Sequence, residues 1–276
     1  MRIVLSRFSM VFALSVCLLV MLAVLFGPVL AFWPAEHQDL VHSFSGPSAR
    51  HWLGTDELGR DILSRLSTGA RAAVLGPMIV ALGAMVWGAG IAMVATYHGG
   101  IGESLIVFWI DLMSSVPHLL VAIVALGMLS GSYWDAIIVM IVLLAPGDAR
   151  IIRNATRQQR NLAYVEALRV AGVPTVRIIF RHILFSVIPQ GLVQASANFT
   201  TGIIMLSSLS FLGFGVPPGA ADWGRMMVEG RLVIGQNPCC MLGAGLAIAC
   251  TATSVSILSD WLGSRLAMKT GGVHAR

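Results

Sequence analysis

Residues 164–172 read Tyr-Val-Glu-Ala-Leu-Arg-Val-Ala-Gly and set one carboxylate, Glu166, three positions before one guanidinium, Arg169. On a helix that spacing puts both on one face, where they can pair with each other or meet charges on a partner. This is docking chemistry, because no nucleophile–base set accompanies them. The sequence has no GxxxxGK[ST] phosphate loop, no GxSxG, no HExxH and no paired-carboxylate constellation. A chain without a phosphate loop does not hydrolyse ATP by itself, and no catalytic residue, metal site or cofactor is expected. Cys17, Cys239, Cys240 and Cys250 lie in or beside apolar runs without ligand spacing and read as packing residues.

Two further groups of ionisable residues stand out. Asp111 lies inside an apolar run, which makes it a functional candidate by default. It sits near one end of that run, within reach of water or a loop arginine, so a structural or gating ion pair is the expectation; an ion-coupling site is the rival. His118, next to Pro117, reads as a core histidine. The second group is residues 51–66, where Gly54, Thr55, Asp56, Gly59, Arg60 and Asp61 crowd into eight positions. With Thr55 or Asp56 as cap, a helix is expected to start near Glu57 and to align Leu58, Ile62 and Leu66 on one face. An amphipathic helix on the outer membrane surface follows. It would contact a partner protein, or simply cap the bundle.

The elements that must position these residues are membrane spans. The chain has 276 residues, 57% of them hydrophobic and 11% charged, against about 25% charged in soluble domains. The mean hydropathy is +0.82. Its net charge of +5 comes from arginines flanking apolar runs, a pattern of membrane topology and not of nucleic-acid binding. Residues 8–33 carry no charge, a run well beyond the roughly 7–15 residues of a signal-peptide core. The sequence therefore predicts an uncleaved first span. Further spans are expected at 72–97, 104–129, 133–147, 182–208 and 238–258. Pro117 and Pro189 would kink two of them.

Six spans put both termini on one side. Twelve of the 18 Lys and Arg residues then share that side, including Arg150, Arg153, Arg157, Arg160, Arg169, Arg177 and Arg181. By the positive-inside rule that side is the cytoplasm. The expected organisation is a first span with an outer loop (1–70), a helical membrane domain (71–262) with a cytoplasmic loop at 148–181, and a cytoplasmic tail (263–276).

Within that loop, residues 164–171 can form two helical turns. Gly172 is placed as C-cap and Pro174 as the start of the next helix. Val165, Leu168 and Ala171 share a face with little to bury in its own subunit, which suits a groove on a partner. A plain re-entry loop with arginines at lipid headgroups is the other reading of the same residues.

Glu166-Ala167-Leu168, then Gly172 and Ile188-Pro189, resembles the EAA loop of ABC-importer permeases. Residues 51–66, residues 210–218 with Asp222-Trp223-Gly224, and Asp111 with Pro117 resemble the "C" subunit of the peptide/nickel subgroup. The likeness covers residues 45–262. Leu168 departs from the second alanine, and Phe185 stands where many relatives have proline. The resemblance implies an all-α, six-span type I permease fold in the bacterial inner membrane and half of a pore for di- or oligopeptides, nickel or a metal chelate. Its implied partners are a second permease in a heterodimer, two ABC ATPase subunits, an extracytoplasmic binding protein and membrane lipid. Glu166, Ala167, Leu168, Arg169 and Gly172 would then form a coupling helix. In it an arginine or hydrogen bonds hold Glu166, and Leu168 adds bulk to the tip. The rival is an ion-gradient carrier built on Asp111.

Overall fold

A computed structural model describes residues 7–271 of the chain. The described residues form α1 (Arg7–Leu30), α2 (Ile62–His98), α3 (Ile101–Ser114), α4 (His118–Met128), α5 (Tyr133–Arg160) and α6 (Ala163–Val170). After these come α7 (Thr175–Phe211), α8 (Trp223–Leu232) and α9 (Cys239–Gly271). Two isolated bridges are the only β pairing among the described residues, as the all-α expectation requires. Arg2 and Arg276, counted above for topology, lie outside them.

Four helices are long and apolar enough to cross a membrane: Arg7–Val29, Ile62–His98, Thr175–Phe211 and Cys239–Arg265. The expected third span is broken. Its two halves, α3 and α4, meet at 90° across residues 115–117. Pro117 explains the break, since the residue before a proline is driven out of the helical region. The expected fourth span is longer than its apolar run. α5 continues to Arg160 because Ala145, Asp148, Ala149, Ile152 and Thr156 keep one buried face at helical spacing. The loop expected at 148–181 is thus mostly helix. Between Asp135 and Asp148 only residues 136–147 are uncharged, short of the roughly 20 that a span needs. By length and composition five spans result, counting the bent pair once.

Three other expectations change. The tail is helical to Gly271, as the end of α9. No helix starts at Glu57: Asp56 Oδ1 accepts from the backbone N–H of Leu58 and of Arg60, both at 2.9 Å, and holds a turn. α2 starts at Ile62, capped by Asp61, whose Oδ2 accepts from Ser64 N–H at 2.8 Å. Residues 223–232, left between the expected spans at 182–208 and 238–258, form α8 behind the N-cap Asp222. Burial pushes the Asp222 carboxyl above its ordinary value, and the Arg225 N–H bond offsets part of that.

The chain packs as two units. One takes the chain up to Ile79 with Ile123–Ile138 and Phe199–Leu258. Its core joins Val20, Ile62, Ala73, Ile203, Trp223, Met226 and Ala244. The other holds Val80–Ala122, Val139–Asn198 and the stretch from Ser259. Here small residues let helices approach: a Cβ on Gly88 of α2 would lie 2.3 Å from the Ala145 carbonyl of α5. Its main cluster gathers Met93, Tyr97, Ile152, Val165, Ile178, Ile179, Ile183 and Val187.

Candidate functional site

α6 hangs between α5 and α7 on eight residues, too few to be stable alone. Its termini and one face hold it. At the C-terminus Gly172 takes φ 73°, Gly172 N–H bonds the Arg169 carbonyl and Val173 N–H bonds the Leu168 carbonyl, each at 3.0 Å. That is a Schellman motif. No atom lies within 4 Å of a Cβ placed on Gly172, so the backbone angle alone selects glycine there.

The inner face is filled by this chain itself. Val165 is fully buried in the Met93–Ile178 cluster, with Leu168 and Val173 packed against it. Arg169 Nε donates to the Tyr97 hydroxyl at 2.9 Å, and its guanidinium lies 4.9 Å from the centre of the Tyr97 ring. Arg160 Nη1 donates to the Thr96 carbonyl at 2.8 Å. Together these tie α6 and its entry to the end of α2.

Two expectations are corrected here. The Val165–Leu168 face is used up inside the subunit, and Leu168 faces inward and adds no bulk to the tip. Ala171 is exposed. What remains outside is a face of Ala163, Glu166, Ala167 and Val170, with Val170 85% exposed. No hydrogen bond or ion pair engages the Glu166 side chain among the described residues, so none of their arginines fixes it.

The second group gathers in one buried charge cluster. Asp56 Oδ2 meets Arg60 Nε at 2.7 Å and Arg65 Nη1 at 2.6 Å. Glu229 Oε2 meets Arg60 Nη2 at 3.0 Å and Arg65 Nη1 at 2.7 Å. The Gly219 carbonyl accepts from both arginines. Arg225 Nε also lies 3.7 Å from Glu229 Oε1, so three cations face two anions, and Arg65 is fully buried. Asp61 does double duty: besides capping α2, its Oδ1 lies 2.9 Å from His51 Nδ1. Thr55 bridges to the Ser45 N–H, and a Cβ on Gly59 would strike the Asp39 carbonyl. Asn237 closes the loop by donating to the carbonyls of Ser45, Leu53 and Thr55.

Arg65, Glu229 and Asn237 were not singled out in the sequence. Glu229 carried one usable signal, as one of only two carboxylates between residues 181 and 259. Asp111 belongs to neither group. It is 70% exposed, 3.7 Å from Arg150, which also donates to Ser114 at 2.9 Å. Such an exposed pair is worth about 0–1 kcal/mol. Among the described residues no three His, Cys, Asp or Glu side chains gather to hold a metal.

Several helices long and apolar enough to cross a membrane, with a pinned exposed helix on one loop, define the class, a multi-pass membrane protein. Comparison names the family. The model described as "Binding-protein-dependent transport system inner membrane component" matches residues 84–268. The chain is 31% identical to the dipeptide transport system permease protein DppC of Alkalihalophilus pseudofirmus, over 87% of this chain and 79% of that protein. It is 32% identical to the probable D,D-dipeptide transport system permease protein DdpC of Escherichia coli, over 93% and 86%. For the glutathione transport system permease protein GsiD of Pectobacterium atrosepticum the figures are 32%, 79% and 72%. The chain belongs to the binding-protein-dependent transport system inner membrane component family, and it is the permease subunit of an ABC importer. ATP hydrolysis is the task of a separate subunit.

Proposed function

We propose that this permease forms half of a pore for short peptides, and that α6 is the helix through which a separate ATPase moves it. The relatives' names, dipeptide, D,D-dipeptide and glutathione, support the substrate class. The observation that carries the coupling reading is the division of α6: Val165 buried and Arg169 tied to Tyr97, with Glu166, Ala167 and Val170 left outside. A helix that transmits force must be rigidly joined to its own subunit and must offer a free face to the next. α6 meets both conditions.

In the full assembly this chain pairs with a second permease, two ATPase subunits dock on the arginine-rich side, and a binding protein delivers cargo at the other. That arrangement has α5 cross as a sixth, less apolar span beside the five that length and composition give, and so puts both termini, α6 and the arginines of residues 150–181 in the cytoplasm. ATP-driven closure of the ATPases moves α6. Because α6 is locked to the end of α2 and the start of α7, the movement passes into the bundle, which opens toward the binding protein. The signature loop of residues 51–66, stiffened by its buried charge cluster, is a contact surface on the binding-protein side.

The test is ATP-dependent uptake of a labelled dipeptide by the assembled importer. Glu166→Lys is expected to abolish uptake while the subunit stays inserted and assembled with its partner permease. Normal uptake by that variant contradicts the coupling role.

A further inference from the structure

Arg150, Arg153, Arg157 and Arg160 recur every three or four residues and so line one face of α5. α3 packs beside α5 through Ile106, Ile110 and Ala149. It offers two carboxylates in reply: Asp111 lies 3.7 Å from Arg150, and Glu103 lies 2.9 Å from Arg153. Arg160 spends its donors on the Thr96 and Tyr97 carbonyls, which keep its charge unneutralised. Arg157 is exposed, and no hydrogen bond or ion pair engages it among the described residues. The pair of helices therefore ends in two uncompensated positive charges.

Beside them runs an open groove of about 790 Å³, with Arg153 and Arg157 on one wall and Ile101, Glu103, Ser104, Leu105 and Val107 on the other; Glu103 is taken up by Arg153, which leaves Arg157 as the open cation. The apolar wall continues along α3. Ile101 (81% exposed), Leu105 (62%), Phe108 (66%) and Leu112 (48%) form one uncovered stripe at helical spacing. From Ile101 to Leu112 the stripe is about 16 Å long, close to half the roughly 30 Å hydrocarbon thickness of a bilayer. A ligand for this groove needs an anion at one end and hydrocarbon about one leaflet deep at the other.

We propose that the groove between α3 and the end of α5 binds an anionic phospholipid, with its phosphate at Arg157 and an acyl chain along Ile101, Leu105 and Phe108. A free phosphate would leave the apolar stripe uncovered, and an uncharged lipid would leave Arg157 without a counter-charge. The proposal takes its membrane setting from the permease reading. It is tested on lipid retention by this chain, so it can fail while transport coupling stands, and the reverse.

The experiment mixes the full-length chain, in mild detergent, with equal amounts of phosphatidylglycerol and phosphatidylcholine and counts retained lipids by native mass spectrometry. Phosphatidylglycerol is expected to be retained several-fold over phosphatidylcholine. Arg157→Gln should lower that preference about five-fold, the size expected for one cation at an anionic membrane surface. Arg157→Lys should keep most of it, Leu105→Ser should weaken retention of both lipids, and Arg231→Gln, on α8, should change nothing. Arg157 is exposed, so its variants are expected to stay monodisperse on gel filtration. Equal retention of the two lipids overturns the proposal, as does an Arg157→Gln protein with undiminished preference. Displacement by millimolar inorganic phosphate also overturns it, by showing an anion site only. So does a photocrosslinker at position 105 that captures, in membranes, a protein segment and no lipid.

Discussion

Val165 and Glu166 are neighbours on α6 and face opposite ways, so equal-sized changes at the two should fail differently. Val165→Ala empties part of a core and is expected to cost about 2 kcal/mol of stability, seen as a lower melting temperature of the detergent-solubilised protein. Glu166→Lys should leave that temperature unchanged and act only on ATP-dependent uptake. The sequence showed that 164–171 is a short helix ending at Gly172, because a left-handed glycine and helical spacing are local properties. It did not show which face is buried. That is decided by Tyr97, which lies far along the chain, and by Ile178, just beyond the next turn. Asp148 supplies a second residue-scale case. Its side chain is fully buried, Oδ2 accepts from Asn198 Nδ2 at 2.7 Å, and Oδ1 has no partner among the described residues. A charge there is costly, so Asp148→Asn should be neutral or stabilising. Asp148→Ala, which strands Asn198, should cost about 1–3 kcal/mol. Thermal melts of the two variants decide it.

The loop before α2, α2 itself and α8 are joined by the Asp56–Arg60–Arg65–Glu229 cluster. Removing one member leaves a buried charge unpaired, so Arg65→Ala is expected to cost about 3–5 kcal/mol, whereas Arg65→Met with Glu229→Leu should recover most of that loss. A double variant that melts no higher than Arg65→Ala would contradict that coupling. This cluster was half legible in the sequence. Asp56, Arg60 and Asp61 stood out by crowding, but Glu229 is more than 160 positions away and its role depends on where α8 folds back. The predicted helix from Glu57 failed for a local reason: Asp56 turned its carboxylate onto the N–H groups of Leu58 and Arg60, and so competed with helix formation. The break at 115–117 was signalled by Pro117, but its 90° angle was not, since a proline inside an apolar run also fits a mild kink.

The family and the membrane class were readable from composition, the order of the apolar runs and a few signatures, because a bilayer imposes span length directly on sequence. Span number was less readable. Pro117 breaks one span, and Asp135 and Asp148 bracket another too closely. The proposed topology puts α6 and the arginines of residues 150–181 on the cytoplasmic face and residues 130–132 on the outer face. Cysteines placed at Ala167 and Ser130 are therefore expected to react with membrane-impermeant reagents from opposite sides. Labelling of both from one side contradicts that topology. The claim that joins residue, element and molecule is that α6 carries force from another subunit. Site-directed crosslinking tests it directly, with cysteines at Ala163, Ala167 or Val170 on the exposed face and at Ser130 as control, in the assembled importer. The account predicts crosslinks to the ATPase subunit from the α6 positions, changing in yield with ATP, and none from Ser130. An assembled importer that shows no ATPase crosslink from any α6 position would contradict it.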